Sequence, residues 1–446
     1  MSPASRPEWS SRRLHFIGIG GAGMSGLALV CAQLGATVSG SDRAESSYME
    51  RLRAAGLRPA LGHDAANLPD RAEVVVSTAI GEDNPELAAA RERGIEPIHR
   101  GALLAELCAG KRLIAIAGTH GKTTSAAMAV WALRALGADP AFFVGGEVPG
   151  VGPGGAAANA GWGEGEWVVA EADESDASFL RLAPEIAVVT NLEMDHHSRW
   201  GSLGDLRAAF AEFLAAAGAA VLPADGGLDR LAPGGPAASF DAERPGPAEL
   251  DLAVPGAHNR ANARAALAAL GLAGFDLDAA AAALRDFPGV RRRLERKGER
   301  AGFRIYDDYG HHPTEVRAAL RALRELEPER LIAVFQPHLY SRTKAMAEQF
   351  GAALAVADEV AVLDVYPARE EPVGELAGVS GLDVARAAAE RMGGRPVWWL
   401  PRGEDAGRAL GERLDREGAG GQQRGILATI GAGDVFRVGE ALVGER

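Results

Sequence analysis

A loop reading Gly118-Thr119-His120-Gly121-Lys122-Thr123-Thr124 carries the most pointed chemistry in this chain. It follows an apolar run at 113–117 and precedes a helical pattern, which is the setting of a phosphate loop. There, backbone N–H groups cradle the β- and γ-phosphates of ATP, Lys122 adds a point charge, and the Thr123 hydroxyl ligates Mg²⁺. The loop is a shortened variant, because Ile116 stands where the first glycine of G-x-x-x-x-G-K-T belongs. Only four of the 47 basic residues are lysines: Lys111, Lys122, Lys297 and Lys344. A lysine kept in this loop therefore stands out.

A second glycine-rich turn lies near the start. Gly18, Gly20 and Gly23 fit G-x-G-x-x-G, with Gly21 between them, after a strand and before a helix. Such glycines let a diphosphate approach the helix N-terminus, where free N–H groups and the helix dipole favour anions. Asp42 follows the next strand, 19 positions after Gly23, where a carboxylate would meet a ribose hydroxyl. The pattern does not choose between NAD and a UDP-sugar.

Carboxylates and histidines cluster after later strands. Glu171-Ala172-Asp173-Glu174-Ser175-Asp176 packs four acids at one strand end, and Asn191-Leu192-Glu193-Met194-Asp195-His196-His197 follows the next. In a parallel sheet both emerge at the edge that carries the phosphate loop. Carboxylates there would hold a metal against phosphate; a histidine ligand to Mg²⁺ is unusual, since Mg²⁺ prefers oxygen. Asp307-Asp308-Tyr309-Gly310-His311-His312-Pro313 and Gln336-Pro337-His338-Leu339-Tyr340-Ser341-Arg342-Thr343 close two strands further on, and each cluster alone could be a capped turn.

The elements that position these groups are legible as alternation. Apolar runs at 14–19, 37–41, 74–77, 113–117, 167–170, 186–190, 303–307, 331–335, 360–364 and 426–430 read as strands. Helical patterns at 24–34, 123–136, 206–216 and 314–325 lie between them. That order predicts an α/β chain built on mostly parallel sheets. Two glycine turns and a third block near Phe303 set expected domains at 1–110, 111–296 and 297–446. The charged run at 291–300 is, by composition, a solvated linker.

Composition narrows the rest. The chain has 446 residues, 47% apolar and 24% charged, as a globular protein does. A net charge of −13 argues against nucleic-acid binding, because such surfaces need a basic excess. No apolar run is long enough to span a membrane and no leader is evident, so a cytoplasmic place is expected. Cys31 and Cys108 sit in apolar stretches and read as buried free thiols.

Taken together, these segments resemble the ATP-dependent Mur ligases of peptidoglycan synthesis, most of all the alanine-adding branch. The resemblance rests on GIGGAGMSG (18–26), STAIGEDNPE (77–86), AGTHGKTT (117–124), EADESDASF (171–179), VVTNLEMDHH (188–197) and PGAHNRANA (255–263). It continues through GVRRRLE (289–295), YDDYGHHPTE (306–315), FQPHLYSRT (335–343) and GAGD (431–434). It implies a Rossmann-like UDP-sugar domain, a central ATP domain with the phosphate loop, and a Rossmann-like amino-acid domain. It also implies the reaction. ATP phosphorylates the lactyl carboxylate of UDP-N-acetylmuramate, and the amine of L-alanine attacks the acyl phosphate to give the amide.

The resemblance also implies roles. Gly18, Gly20, Gly21, Gly23, Asp42 and Ser77 would bind the UDP-sugar. Gly118 to Thr124 would hold ATP. Thr123, Glu171 and His196 would bind two Mg²⁺ ions, with Mn²⁺ able to substitute. Asn259 would read adenine, Arg293 would enter the ATP site, and Asp308 and Tyr309 would touch the nucleotide. His311 belongs to the reactive centre and Arg342 pairs the alanine carboxylate. Lys122, His196, Arg293 and His311 are the catalytic set, in a monomer or homodimer with no nucleic-acid partner and no membrane insertion.

Two features qualify the pattern. Relatives read FQPHRYSR, whereas Leu339 replaces the first arginine here. Other branches use a carbamylated central lysine, and none lies between Lys122 and Lys297. Competing readings are the recycling ligase that adds L-Ala-γ-D-Glu-meso-diaminopimelate to the same sugar, an NAD-dependent dehydrogenase, and a regulatory nucleotide binder. The dehydrogenase leaves Lys122, Thr123 and Glu171 without work, and the intact metal and phosphate residues argue against a regulatory binder that hydrolyses no ATP productively.

Overall fold

The computed structural model describes residues 9–195, 199–224, 227–232, 234–235, 237–241, 250–418 and 425–444. The backbone groups into two compact units, 1–251 with 261–288 and 252–260 with 289–446. The first unit contains two sheets and the second contains one.

The first sheet comprises β1 (Arg13–Ile17), β2 (Thr37–Asp42), β3 (Ala60–Leu61), β4 (Glu73–Val76) and β5 (Ile98–His99). Its order is β3-β2-β1-β4-β5, and every pairing is parallel. Leu14, Phe16 and Ile17 of β1 are fully buried, as a central strand covered on both faces must be. Helices α1 (Ala22–Gln33), α2 (Ser47–Ala54), α3 (Pro85–Glu92) and α4 (Arg100–Cys108) connect the strands. Ser46 caps α2 and Asn84 caps α3, each accepting from N–H groups of the first turn.

The second sheet comprises β6 (Arg112–Ala117), β7 (Ala141–Val148), β8 (Ala158–Gly161), β9 (Trp167–Glu171), β10 (Ile186–Val189), β11 (Ala219–Pro223) and β12 (Ala238–Phe240). The order is β12-β11-β10-β6-β9-β7-β8, parallel except for β8. Strand β6 leads into α5 (Lys122–Ala135), and α6 (Leu203–Ala215) follows β10. Strands β7 and β8 go beyond the strands expected from the sequence: β7 opens with the short apolar run Ala141–Val144 before Gly145 and Gly146, and β8 (ANAG) has no such run. In β8 the small residues have a packing reason: a Cβ on Gly26 of α1 would lie 2.9 Å from that of Ala160.

The first two sheets are locked together within their unit. Asn159 Nδ2 donates to the Ala22 carbonyl at 2.7 Å, and Arg51 Nη1 pairs with Glu147 at 2.9 Å. Arg100 Nη2 of α4 reaches Asp173 at 2.5 Å and Asp176 at 2.8 Å, beyond β9.

The third sheet comprises β13 (Glu295–Arg300), β14 (Phe303–Asp308), β15 (Arg330–Phe335), β16 (Glu359–Val362), β17 (Val397–Trp399) and β18 (Gly425–Ile430). Its order is β13-β14-β18-β15-β16-β17, parallel except for β13. Much of the charged run expected as a linker is thus the antiparallel edge strand β13. Its Arg, Lys and Glu side chains suit an edge, since charge there discourages pairing with other chains. Among the helices, α7 (Ala257–Leu272) and α8 (Leu277–Leu284) precede this sheet, and α9 (Pro313–Arg324) and α10 (Tyr340–Leu354) follow β14 and β15.

Cys31 and Cys108 are buried and free, and burial pushes both thiols up to about 12. Among the described residues no helix is long and apolar enough to cross a membrane.

Candidate active site

The loop at 118–124 leaves β6 and enters α5 at Lys122. Gly118 has φ +129° and Gly121 φ +81°, left-handed values that side chains disfavour. A Cβ at Gly121 would also strike Asn262 Oδ1. The loop is pinned by the end of β10. His120 N donates to Asn191 Oδ1 at 2.9 Å, while Asn191 Nδ2 donates to the His120 carbonyl at 2.9 Å. Thr190 Oγ1 donates to that same carbonyl at 2.6 Å.

Lys122 folds back into its own loop. Its Nζ donates to the Gly118 carbonyl at 2.5 Å, the Thr119 carbonyl at 3.2 Å and Glu174 Oε1 at 3.0 Å. Burial alone would lower its pKa, but Glu174, Glu171 and Asp173 outweigh that and the net direction is upward. Lys122 is a firmly cationic group in a phosphate-shaped loop. Asp173 is held well below the usual carboxylate range, because Arg100 and Lys122 overcome its burial.

Thr123 is buried at the start of α5, and Glu171 ends β9 with Oε2 accepting from Gly145 N at 2.7 Å. Both offer hard oxygen donors, the chemistry that Mg²⁺ takes. His196, expected as a metal ligand and catalytic residue, lies outside the described residues.

The first glycine turn hangs on β2. Gly18 N and Ile19 N donate to the Ser41 carbonyl at 2.8 and 2.9 Å. Asp42 turns back on the turn: Oδ2 accepts from Gly20 N at 2.9 Å and Oδ1 from Ala44 N at 3.2 Å. Gly21 is the N-cap of α1, so Gly23 lies in its first turn. Ser77 follows β4 and is half-buried.

Between this turn and the central strands lies a cavity of about 200 Å³, lined by Gly23, Arg100, Asn159, Glu171, Asp173 and Ser178 among others. It brings the start of α1 and the metal-type carboxylate Glu171 to the same space.

The second unit gathers its own polar group. Tyr309 N donates to the Arg292 carbonyl at 2.7 Å, and the Arg293 guanidinium lies 5.2 Å from the Tyr309 ring centre. Asp308 Oδ2 accepts from Leu294 N at 2.9 Å and Oδ1 from Gly310 N at 2.8 Å. Burial pushes the Asp308 carboxyl up to about 6 despite these bonds and nearby Arg293. His311 contacts Tyr309 edge-on at 5.6 Å and His338 at 5.9 Å. His338 stacks on Tyr366 and lies 3.4 Å from Arg342 Nη1. Asn259 Nδ2 donates to the Pro255 carbonyl at 2.7 Å. Leu339 caps α10 at φ +70°, a strained left-handed conformation for a side-chain-bearing residue.

The structure therefore draws Gly118 to Thr124, Glu171 and the first turn into one unit. It draws Asn259, Arg293, Asp308, Tyr309, His311 and Arg342 into the other. Sequence reasoning missed the roles of Asn191, Glu174 and Arg100. Asn191 had a usable signal, a polar residue directly after the strand beside the phosphate loop. Arg100 had none, because its partners lie over 70 residues away.

Three family models match the chain: the Mur ligase family catalytic domain over 13–112, the middle domain over 116–232, and the glutamate ligase domain over 292–414. A UDP-N-acetylmuramate–L-alanine ligase of Kineococcus radiotolerans is 45% identical, covering 96% of this chain and 94% of that one. One from Rubrobacter xylanophilus is 44% identical, over 97% of this chain and 99% of its own. The solved UDP-N-acetylmuramate-alanine ligase of Thermotoga maritima superposes with a TM-score of 0.82 at 28% identity, covering 97% and 98%. A murein peptide ligase of Psychrobacter arcticus shares the fold, with a TM-score of 0.70 at 22% identity and coverage of 97% and 98%. The motifs, the three sheets and these matches along the chain agree: the protein belongs to the Mur ligase family.

Proposed function

We propose that this protein joins L-alanine to the lactyl carboxylate of UDP-N-acetylmuramate at the expense of ATP, in the cytoplasm. The observation that carries the proposal is Lys122, cationic and folded onto the Gly118 and Thr119 carbonyls in a loop shaped for phosphate. The activity for which the nearly full-length relatives are named supports the choice of sugar and amino acid.

In this reading 1–110, 111–296 and 297–446 serve the UDP-sugar, ATP and the amino acid. Gly18, Gly20, Gly21, Gly23, Asp42 and Ser77 hold the UDP-sugar. The lactyl end occupies the cavity lined by Arg100 and Glu171. Gly118 to Thr124 hold the ATP phosphates, with Asn259, Arg293, Asp308 and Tyr309 as further nucleotide contacts. Thr123 and Glu171 hold Mg²⁺, joined by His196, and the metal when bound screens the γ-phosphate against the carboxylate.

The carboxylate oxygen takes the γ-phosphoryl group, the bond to the β-phosphate oxygen breaks, and ADP leaves. Lys122 steadies the charge on the transferring group. The alanine amine, oriented through Arg342 on its carboxylate, attacks the acyl carbon. It loses a proton, for which His311 is the candidate acceptor, and phosphate departs.

The test is phosphate release from ATP and Mg²⁺ with UDP-N-acetylmuramate, comparing L-alanine with L-Ala-γ-D-Glu-meso-diaminopimelate. Release driven by L-alanine is expected. Release driven only by the tripeptide moves the protein to the recycling activity and directs attention to Leu339.

A further inference from the structure

Behind the first glycine turn lies a buried polar network that the proposed reaction does not use. Glu86, fully buried in α3, accepts from His15 Nε2 at 2.9 Å, Ser41 Oγ at 2.7 Å, Asn67 Nδ2 at 2.9 Å and Asp64 N at 3.1 Å. Burial would raise its carboxyl, but these donors hold it at about 2, so it is ionised and only accepts.

Proton counting then settles His63. Ser41 Oγ has one proton and lies 2.7 Å from Glu86 Oε2 and 2.8 Å from His63 Nδ1. A proton aimed at His63 would leave two oxygen lone pairs facing each other across the shorter gap. Ser41 therefore donates to Glu86 and accepts from His63 Nδ1. That nitrogen also faces Glu86 Oε1 at 3.5 Å, which favours the same arrangement. In the neutral ring that carries its proton on Nδ1, Nε2 is a bare lone pair. It has no hydrogen-bond partner among the described residues, and the side chain is 17% exposed.

The acceptor stands at a telling place. His63 follows β3, whose Leu61 pairs with Asp42, and Gly62 N donates to the Asp42 carbonyl at 2.7 Å. This is the carboxyl edge of the sheet, where nucleotide-binding folds receive ribose and base. Leu61, 60% exposed, adds apolar surface at that edge for a ring face.

We infer that His63 reads the base of the nucleotide, its Nε2 accepting the N3–H of uracil. Cytosine presents an acceptor at N3, so the two lone pairs would repel. Ser41 and Glu86 are positioning residues that fix the ring and its tautomer. The inference rests on the proposed reading that the first turn holds a UDP-sugar.

The full chain is titrated, without ATP, with UDP-N-acetylmuramate and with its cytosine counterpart. The wild type is expected to favour uracil by about 10- to 100-fold. His63→Phe keeps a ring and loses the acceptor, so the preference collapses, while His63→Gln restores an acceptor oxygen and part of the preference. An unchanged preference in His63→Phe overturns the assignment. Equal binding of both ligands by the wild type also overturns it and leaves the UDP-sugar reading standing. Binding of neither overturns both. The wild-type ¹⁵N spectrum needs no substitution: an unprotonated His63 Nε2 that shifts with the uracil ligand supports the assignment, and a protonated one overturns it.

Discussion

The two glycine-rich turns of the first unit each lead from a strand into a helix, yet they are secured by opposite means. The turn at 18–23 hangs on the Ser41 carbonyl and has an anion, Asp42, bonded to Gly20 N. Behind it sits another anion, the buried Glu86, bonded to Ser41 Oγ. The turn at 118–124 is pinned by Asn191 on both sides of His120 and has a cation, Lys122, folded into it. A turn that only holds a diphosphate can rely on N–H groups and a helix N-terminus. A turn that must stabilise charge on a transferring phosphoryl group needs a cation of its own. In the proposed function, that difference separates a grip from a reaction centre.

The comparison can be broken most sharply at Lys122. Lys122→Ala is expected to lower kcat for ligation by about 10³ or more, since a preorganised cation at the transferring group is lost. Steady-state phosphate release measures it, and a loss under tenfold would contradict the assignment.

The next effect is on the first turn and depends on pH. The Glu86 carboxyl is held down at about 2, below its ordinary value, so its contribution is complete above the unfolded value and is lost as pH falls toward the folded one. That contribution is about 3 kcal/mol. Hydrogen exchange at β1 and β2 should therefore accelerate through this acid window in the wild type. In Glu86→Gln the window should flatten, while protection at neutral pH is already reduced. An acid profile unchanged by Glu86→Gln would contradict the role of the buried carboxylate.

Asn191→Ala removes the acceptor of His120 N and leaves the His120 carbonyl to Thr190 alone, and it should raise KM for ATP by roughly tenfold, about 1–2 kcal/mol. It should leave UDP-N-acetylmuramate affinity unaltered. The smallest effect belongs to Asp42→Asn, which keeps an acceptor for Gly20 N and removes the charge. A shift of a few-fold in UDP-N-acetylmuramate affinity is expected, with KM for ATP unchanged. A shift in KM for ATP in that variant would show that the turns are not independent.

Much of this arrangement is readable from residue order, for physical reasons. Central strands such as β6 and β10 are covered on both faces, so they are written as unbroken apolar runs. The edge elements are not. Strand β8 uses glycine and alanine where α1 packs closely, and β13 is written in charges because it is an edge. The phosphate loop is legible because backbone geometry restricts its residue types. Glu174 as the partner of Lys122 is not, since four neighbouring acids could do that work equally well on paper. His63 is a single histidine in a polar loop, and its tautomer emerges only from the distances to Ser41 and through it to Glu86.

The most direct test of the separation between grip and reaction centre is a titration of Lys122→Ala with UDP-N-acetylmuramate in the absence of ATP. The account predicts an affinity equal to that of the wild type in a variant that no longer forms product. Loss of sugar binding along with catalysis would contradict it, and would mean that the two turns act as a single site.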